Sequence, residues 1–260
     1  MARIITVTNQ KGGVGKTSIT AAFIAELHRR GAHVLGVDID PQGNLGFSLG
    51  LNIEEGLSIY DVLTGKCSIT EAIVRTEHGD ILPTNIMLSA FVSGEGVPHQ
   101  GRETMLAHHL ELVKNNYDYI FIDTPPSLNI LTINAYVASA GLVIPMKAEV
   151  LSLAGISQIY DTVEAIQKSS NPNLKVYGIV MNEFNERLTS HREILEMAEE
   201  FSAQMGTQVF PTKIRRSVDV ANAPAHGQSV VTHRPKSKPA MDLRKLVDAV
   251  AGDDFPRTRR

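Results

Sequence analysis

The chain has 260 residues, 43% hydrophobic and 20% charged, with a formal net charge of −3, amounts that suit a globular protein with a full core and argue against a fibrous or unfolded one. It has no apolar run near the roughly 18 residues that span a bilayer, and its start shows no charged, apolar, small-residue leader. Cys67 is the one cysteine, which excludes a disulfide framework and a sulfur-rich metal centre, so the expected compartment is the cytoplasm.

In chain order, RIITVT (3–8) is an apolar strand, and NQKGGVGKTS (9–18) follows it directly and opens an amphipathic helix over 17–30. HVLGVDI (33–39) is a second strand, followed by PQGN; short helices are expected around 58–63 and 68–76. Helical spacing over 102–114 leads to strand YIFIDT (119–124), helix 129–139, strand GLVIPM (141–146) and helix 152–169. Strand KVYGIVMN (175–182), helix 189–205, strand QVFPT (208–212) and helix 238–250 complete the pattern. Strands with Val and Ile on both faces alternating with helices predict an α/β fold, a doubly wound, mostly parallel sheet flanked by helices. Gly31 and Gly206 stand where left-handed helix caps are expected. A single domain over 1–252 and a disordered tail, 253–260, are expected.

The stretch 9–18 nearly matches the phosphate-loop pattern of Gly, four residues and Gly-Lys-Ser/Thr, with Gln10 and Lys11 as departures. Gly12, Gly13 and Gly15 let backbone approach an anion with no Cβ in the way, and a helix start adds N–H donors and a positive dipole end. Lys16 is expected to neutralise the β and γ phosphates of a nucleotide, and the Thr17 hydroxyl to complete a Mg²⁺ shell. Asp123, at the end of its strand, is expected to hold the magnesium's water shell, with Pro125 and Pro126 stiffening the loop beyond it. Asp38 and Asp40, two apart, point to one face; one can serve structure and the other approach the phosphates.

KGGVGKTS, DIDPQGN and FIDTPPS, in this order and spacing, resemble the ParA/Soj branch of the deviant Walker A ATPases, and TKIRRSVDVANAPAHGQSV resembles the stretch after the last core strands of that family. The resemblance spans roughly residues 2–250 and implies an ATPase that uses ATP and Mg²⁺ and partitions chromosomes, plasmids or other cargo. It implies that the loop Lys11, Gly12, Gly13, Val14, Gly15, Lys16, Thr17 and Ser18 binds ATP, with Ser18 standing where the family usually has threonine. Lys11 would reach the nucleotide of a second subunit in an ATP-dependent homodimer, and Asp40 would orient the attacking water while Asp38 supports the loop. Asn182, Pro211 and Thr212 would flank the adenine.

Charge is unevenly distributed. Residues 213–260 hold 11 Lys/Arg and 5 Asp/Glu, whereas 1–212 hold 14 and 23. Non-specific DNA binding, which the resemblance implies, therefore points to the C-terminal part, through Lys213, Arg215 and Arg216 together with Arg187. Lys236, Lys238 and Arg244 are further candidates, because Asp219 stands where some relatives carry a basic residue. The implied activating partner is a ParB-like protein or another cargo adaptor, and the expected location is the nucleoid. The alternative is a MinD-like membrane-associated switch, for which Met241, Leu243, Leu246, Val247 and Val250 would be the apolar stripe; membrane binding is the less expected outcome.

Overall fold

A computed structural model describes residues 1–52, 55–94 and 100–252; the expected tail, 253–260, lies outside the described residues. Its frame is a seven-stranded sheet of β1 (Arg3–Val7), β2 (Val34–Asp38), β3 (Val74–Thr76), β4 (Gly79–Leu82), β5 (Tyr119–Asp123), β6 (Gly141–Lys147) and β7 (Lys175–Asn182). The order is β3-β4-β2-β5-β1-β6-β7, with every pairing parallel except β3 against β4. This is the doubly wound α/β sheet that the strand–helix alternation predicts.

Burial on both faces explains the unbroken apolar strands. Within β5, Ile120 and Ile122 join one core, while Tyr119 and Phe121 join the other. The first core is closed by α7 (Ile130–Ala138), α8 (Val150–Ser169) and α9 (Thr189–Gln204), which contribute Leu131, Ile156, Ile159 and Ile194. The second is closed by α1 (Lys16–Arg29) and α12 (Lys238–Ala251), where the Phe23 ring stacks on Phe121 with centroids 4.9 Å apart. Gly36 in β2 permits this closeness, since a Cβ there would lie 2.5 Å from Ile24 Cδ1 and 2.8 Å from Ile81 Cδ1.

A buried carboxylate fastens α1 to α12. Glu26 is fully buried and accepts from Arg29, Arg30 and Arg244, the last through Nε at 3.1 Å. Arg244 therefore serves the packing of α12 on α1, its guanidinium bonded to Glu26 and to Val231 O and Pro235 O. Leu243, Leu246, Val247 and Val250 are buried against the domain and only Met241 of the apolar stripe is exposed, so α12 is spent on its own core. No described helix is long and apolar enough to cross a membrane.

Three local expectations change. The stretch 208–212 forms no strand; it makes one bridge, Ile179 to Val209, and after Phe210 N the next bond to β7 is donated by Ile214 N, not by residue 212, so the ladder is interrupted over 211–213. The helix expected over 68–76 stops as α4 (Ile69–Ala72), and β3 and β4 follow as a short hairpin. The edge strand β3, Val-Arg-Thr, has two exposed residues and no apolar run to announce it. The helix expected over 102–114 is divided into a 3₁₀ turn, Arg102–Thr104, and α6 (Met105–Glu111). Gly31 and Gly206 take the expected left-handed conformation, with φ of 92° and 67°.

Candidate functional site

The carboxyl edge of the parallel strands carries a cleft of about 940 Å³ whose lining includes Gly12, Gly13, Gly15, Lys16, Thr17, Ser18 and Asp40. Helix α1 begins there without a cap: Gly15 precedes it at φ 96°, no side chain accepts from its first turn, and that turn contains no acidic residue. α8 and α9 also start without a side-chain cap, whereas α7 is capped by Asn129 and α12 by Ser237; what distinguishes α1 is that its start opens on the cleft through the glycine loop. Free N–H donors at a 14-residue helix start call for an anion.

Side chains hold the loop from outside. Asn9 Nδ2 donates to Pro145 O at 2.8 Å, and Asn9 Oδ1 accepts from Lys11 N at 2.8 Å. Asn182 Nδ2 donates to Val14 O at 2.7 Å, while Val14 itself is wholly buried and offers only backbone to a ligand. Gly15 must be glycine, since a Cβ would stand 2.3 Å from Asn182 Nδ2 in a backbone region that L-residues rarely adopt.

The floor of the cleft concentrates charge. Lys16 is 7% exposed, and among the described residues its Nζ donates one hydrogen bond, to Lys11 O at 3.2 Å; burial lowers its pKa despite attraction from Asp123 and Asp40. Thr17 Oγ1 donates to Asp123 Oδ2 at 2.6 Å, and Thr20 Oγ1 to Asp123 Oδ1 at 3.3 Å. Asp123 is fully buried, and desolvation pushes its pKa up to about 7 even with those two hydroxyls and Lys16 favouring the anion. Asp38 is buried beside it and raised well above the carboxylate range, by burial first and by Asp123 second. Its oxygens accept from Asp40 N at 3.1 Å and Leu45 N at 2.9 Å, so it holds the turn that presents Asp40. A buried ammonium short of acceptors beside buried carboxylates that resist ionisation is completed by an anion and a divalent cation together. Thr17 and Asp123 would hold the cation, and Lys16 with the helix start would hold the anion.

The other expected residues are distributed as follows. Lys11 turns from the cleft to an ion pair with Glu149, a residue the motif gives no sign of. Asn182 lines the cleft, whereas its wall beyond β7 is formed by Arg215, Arg216, Ser217 and Val218, not by Pro211 and Thr212. Arg187 and Lys213 make no side-chain bond among the described residues, and Arg215 is bound by Asp242 through Nε at 2.6 Å and Nη2 at 2.8 Å. Lys236 and Lys238 are exposed.

Strand, glycine loop, uncapped helix with Lys16 and Thr17, and a buried aspartate on the adjacent parallel strand define a phosphate-loop nucleoside triphosphatase. A family model for an AAA domain matches residues 2–176. The chain is 39% identical to the sporulation initiation inhibitor protein Soj of Bacillus subtilis, over 96% of this chain and 99% of that one. It is 34% identical to the chromosome partitioning protein ParA of Caulobacter vibrioides, over 98% and 96% of the two chains. Among solved structures, cobyrinic acid a,c-diamide synthase from Mycobacterium smegmatis with bound ADP and magnesium superposes with a TM-score of 0.83 at 33% identity, covering 96% of this chain and 94% of that one. The chain belongs to the ParA/Soj family of partitioning ATPases.

Proposed function

We propose that this chain is an ATP-hydrolysing partitioning protein, carried by one domain over 1–252, whose ATP-bound homodimer binds DNA without sequence preference. Hydrolysis, stimulated by a ParB-like protein or another cargo adaptor, would end that state on the nucleoid. The observation that carries the reading is the cluster of buried Lys16 and Asp123 with half-buried Thr17 at an uncapped helix start. It supports ATP with Mg²⁺ as the ligand, and bound Mg²⁺ supplies positive charge to the phosphates.

Lys16 neutralises phosphate charge in a site screened from water, where each charge-assisted bond is strong. Asp40, 7% exposed on the cleft and steadied by Gln42 N at 3.1 Å on its Oδ1, keeps a carboxylate oxygen for the attacking water and takes up its proton. Lys11 of a second copy adds charge as the transition state develops. Arg187 and Lys213 leave their charges to a polyanion, whereas Arg215 is occupied by Asp242. The burial of the α12 stripe weighs against the membrane-associated alternative.

Co-sedimentation with plasmid DNA and, separately, with anionic liposomes tests the reading in ATP and in ADP. DNA pelleting of the protein in ATP and not in ADP is expected. ATP-dependent pelleting with liposomes but not with DNA would replace partitioning by a membrane switch.

Lys11→Ala is expected to leave ATP binding by each monomer intact while abolishing the ATP dimer or its turnover. Its half-exposed pair with Glu149 contributes at most about 1 kcal/mol, so folding is preserved. Light scattering together with phosphate release checks this, and a normal dimer with normal turnover would remove the role assigned to Lys11.

A further inference from the structure

Arg215 and Arg216 are neighbours on one short segment, yet only one of them keeps a free charge. Ile214 N donates to Met181 O at 2.8 Å and Phe184 N to Ile214 O at 2.9 Å, and Phe184 and Arg215 form a parallel bridge. These bonds hold 214–215 beside the end of β7. Arg215 then grips Asp242 in a two-pronged pair, with its own N–H directed at the same carboxylate at 3.3 Å. Arg216 stands on the cleft wall with its side chain 85% exposed, and its ion-pair contact, Nε to Glu183 Oε2, is a loose 4.0 Å.

Glu183 is itself committed elsewhere. Its Oε1 forms an ion pair with Lys147 Nζ at 3.0 Å, and among the described residues it is the one non-glycine with positive φ, 53°. Such backbone is retained where the surroundings enforce it and recurs at ligand sites. Here it sets Glu183 on the cleft lining between Lys147 and Arg216.

The charge of the cleft then asks for a further cation. Lys16 is the one lysine on the described lining, it shares that lining with Asp40 and Glu183, and Lys11 is paired with Glu149. A nucleoside polyphosphate brings several more negative charges, and Lys16 with one divalent ion leaves the balance negative. Arg216 is the guanidinium on this wall whose donors are available, and guanidinium groups match phosphate oxygens in geometry and charge.

We propose that Arg216 binds the nucleotide phosphates of its own subunit, closing over the cleft from the β7 side, and is not primarily a DNA contact. The inference rests on the reading of this cleft as a nucleotide site. It deepens that reading by giving the site a second phosphate cation in cis. Lys147 keeps Glu183 neutralised when Arg216 moves to the phosphates.

The test is equilibrium binding of a fluorescent ADP to the full chain, because ADP tests the monomer's own site without requiring an ATP dimer. Arg216→Ala is expected to weaken ADP binding about tenfold, as loss of a charge-assisted hydrogen bond does. Arg216→Lys should recover part of the loss. Lys175→Ala, which removes an equal charge at the opposite end of β7, should change nothing. Thermal melting of Arg216→Ala is expected to match the unaltered protein, since the side chain is exposed. Unchanged ADP affinity in Arg216→Ala overturns the inference, whether or not DNA binding falls. If Lys16→Ala also leaves ADP affinity unchanged, the nucleotide reading itself fails; if only Arg216→Ala does, this inference alone fails.

Discussion

Lys16→Ala is expected to weaken ATP and ADP binding by at least about 10²-fold while leaving the protein folded. The loss has two parts. The variant forfeits charge-assisted bonds to phosphate, together worth about 3 kcal/mol in a buried site. It also leaves Asp40 and Asp123 without the cation that attracts them, so the remaining cleft is less able to admit phosphates. Folding survives because Lys16 contributes little to the fold in the absence of a ligand. It is buried at 7% exposure with one bond to Lys11 O, and desolvation lowers its pKa, which means that its charge is held there at a cost. Isothermal titration alongside thermal melting checks both halves. Wild-type ATP affinity in a folded variant would remove Lys16 from the site.

Asp40→Ala has the opposite signature, retained binding and lost turnover. Lys16, Thr17 and Asp123 are untouched, and Asp38 still holds Leu45 N and the backbone N–H of residue 40, so the turn keeps its shape. What disappears is the carboxylate facing the cleft, and with it the group that orients the water and accepts its proton. Turnover is expected to fall by on the order of 10²-fold or more. An ATP dimer that is not hydrolysed persists and presents Arg187 and Lys213 of both copies on one particle. Linked contacts act through effective concentration, so DNA affinity in ATP should equal or exceed that of the unaltered protein. Its dependence on salt should be steeper than in ADP, because more phosphates are neutralised. DNA binding measured against salt in both nucleotides reads this directly. Coincident curves without binding in either nucleotide would show that ATP does not license DNA binding, and the partitioning reading would give way.

The assignment of Arg244 shows how charge in a sequence differs from charge on a surface. Counting lysines and arginines after residue 212 makes all eleven equal. The fold separates them, because Asp242 and the buried Glu26 lie at positions that chain spacing does not reveal as partners. Glu26 is 218 residues from Arg244 and Asp242 is 27 from Arg215, and only packing of α12 on α1 and on the segment beyond β7 brings each pair together.

The doubly wound sheet and the phosphate loop are legible in the order of residues alone. Both depend on local order: apolar runs of strand length alternating with helical periods, and a Gly-rich turn set between β1 and α1. The sequence also placed Asp38, Asp40 and Asp123 at strand ends, which in a parallel sheet means at one edge. The family resemblance already gave Asp38 to the loop and Asp40 to the cleft; the fold supplies the physical reason, since Asp38 accepts from the backbone N–H groups of residues 40 and 45 while Asp40, among the described residues, takes only that of Gln42. Only the tertiary structure paired Lys11 with Glu149, turned Asn182 back on to Val14, and moved the far wall of the cleft from Pro211 and Thr212 to Arg215 through Val218. Such contacts join β1, β6, β7 and the chain beyond 210. A one-dimensional pattern specifies which elements form, but partners across the sheet are chosen by register and crossover, which are settled only when both cores are packed.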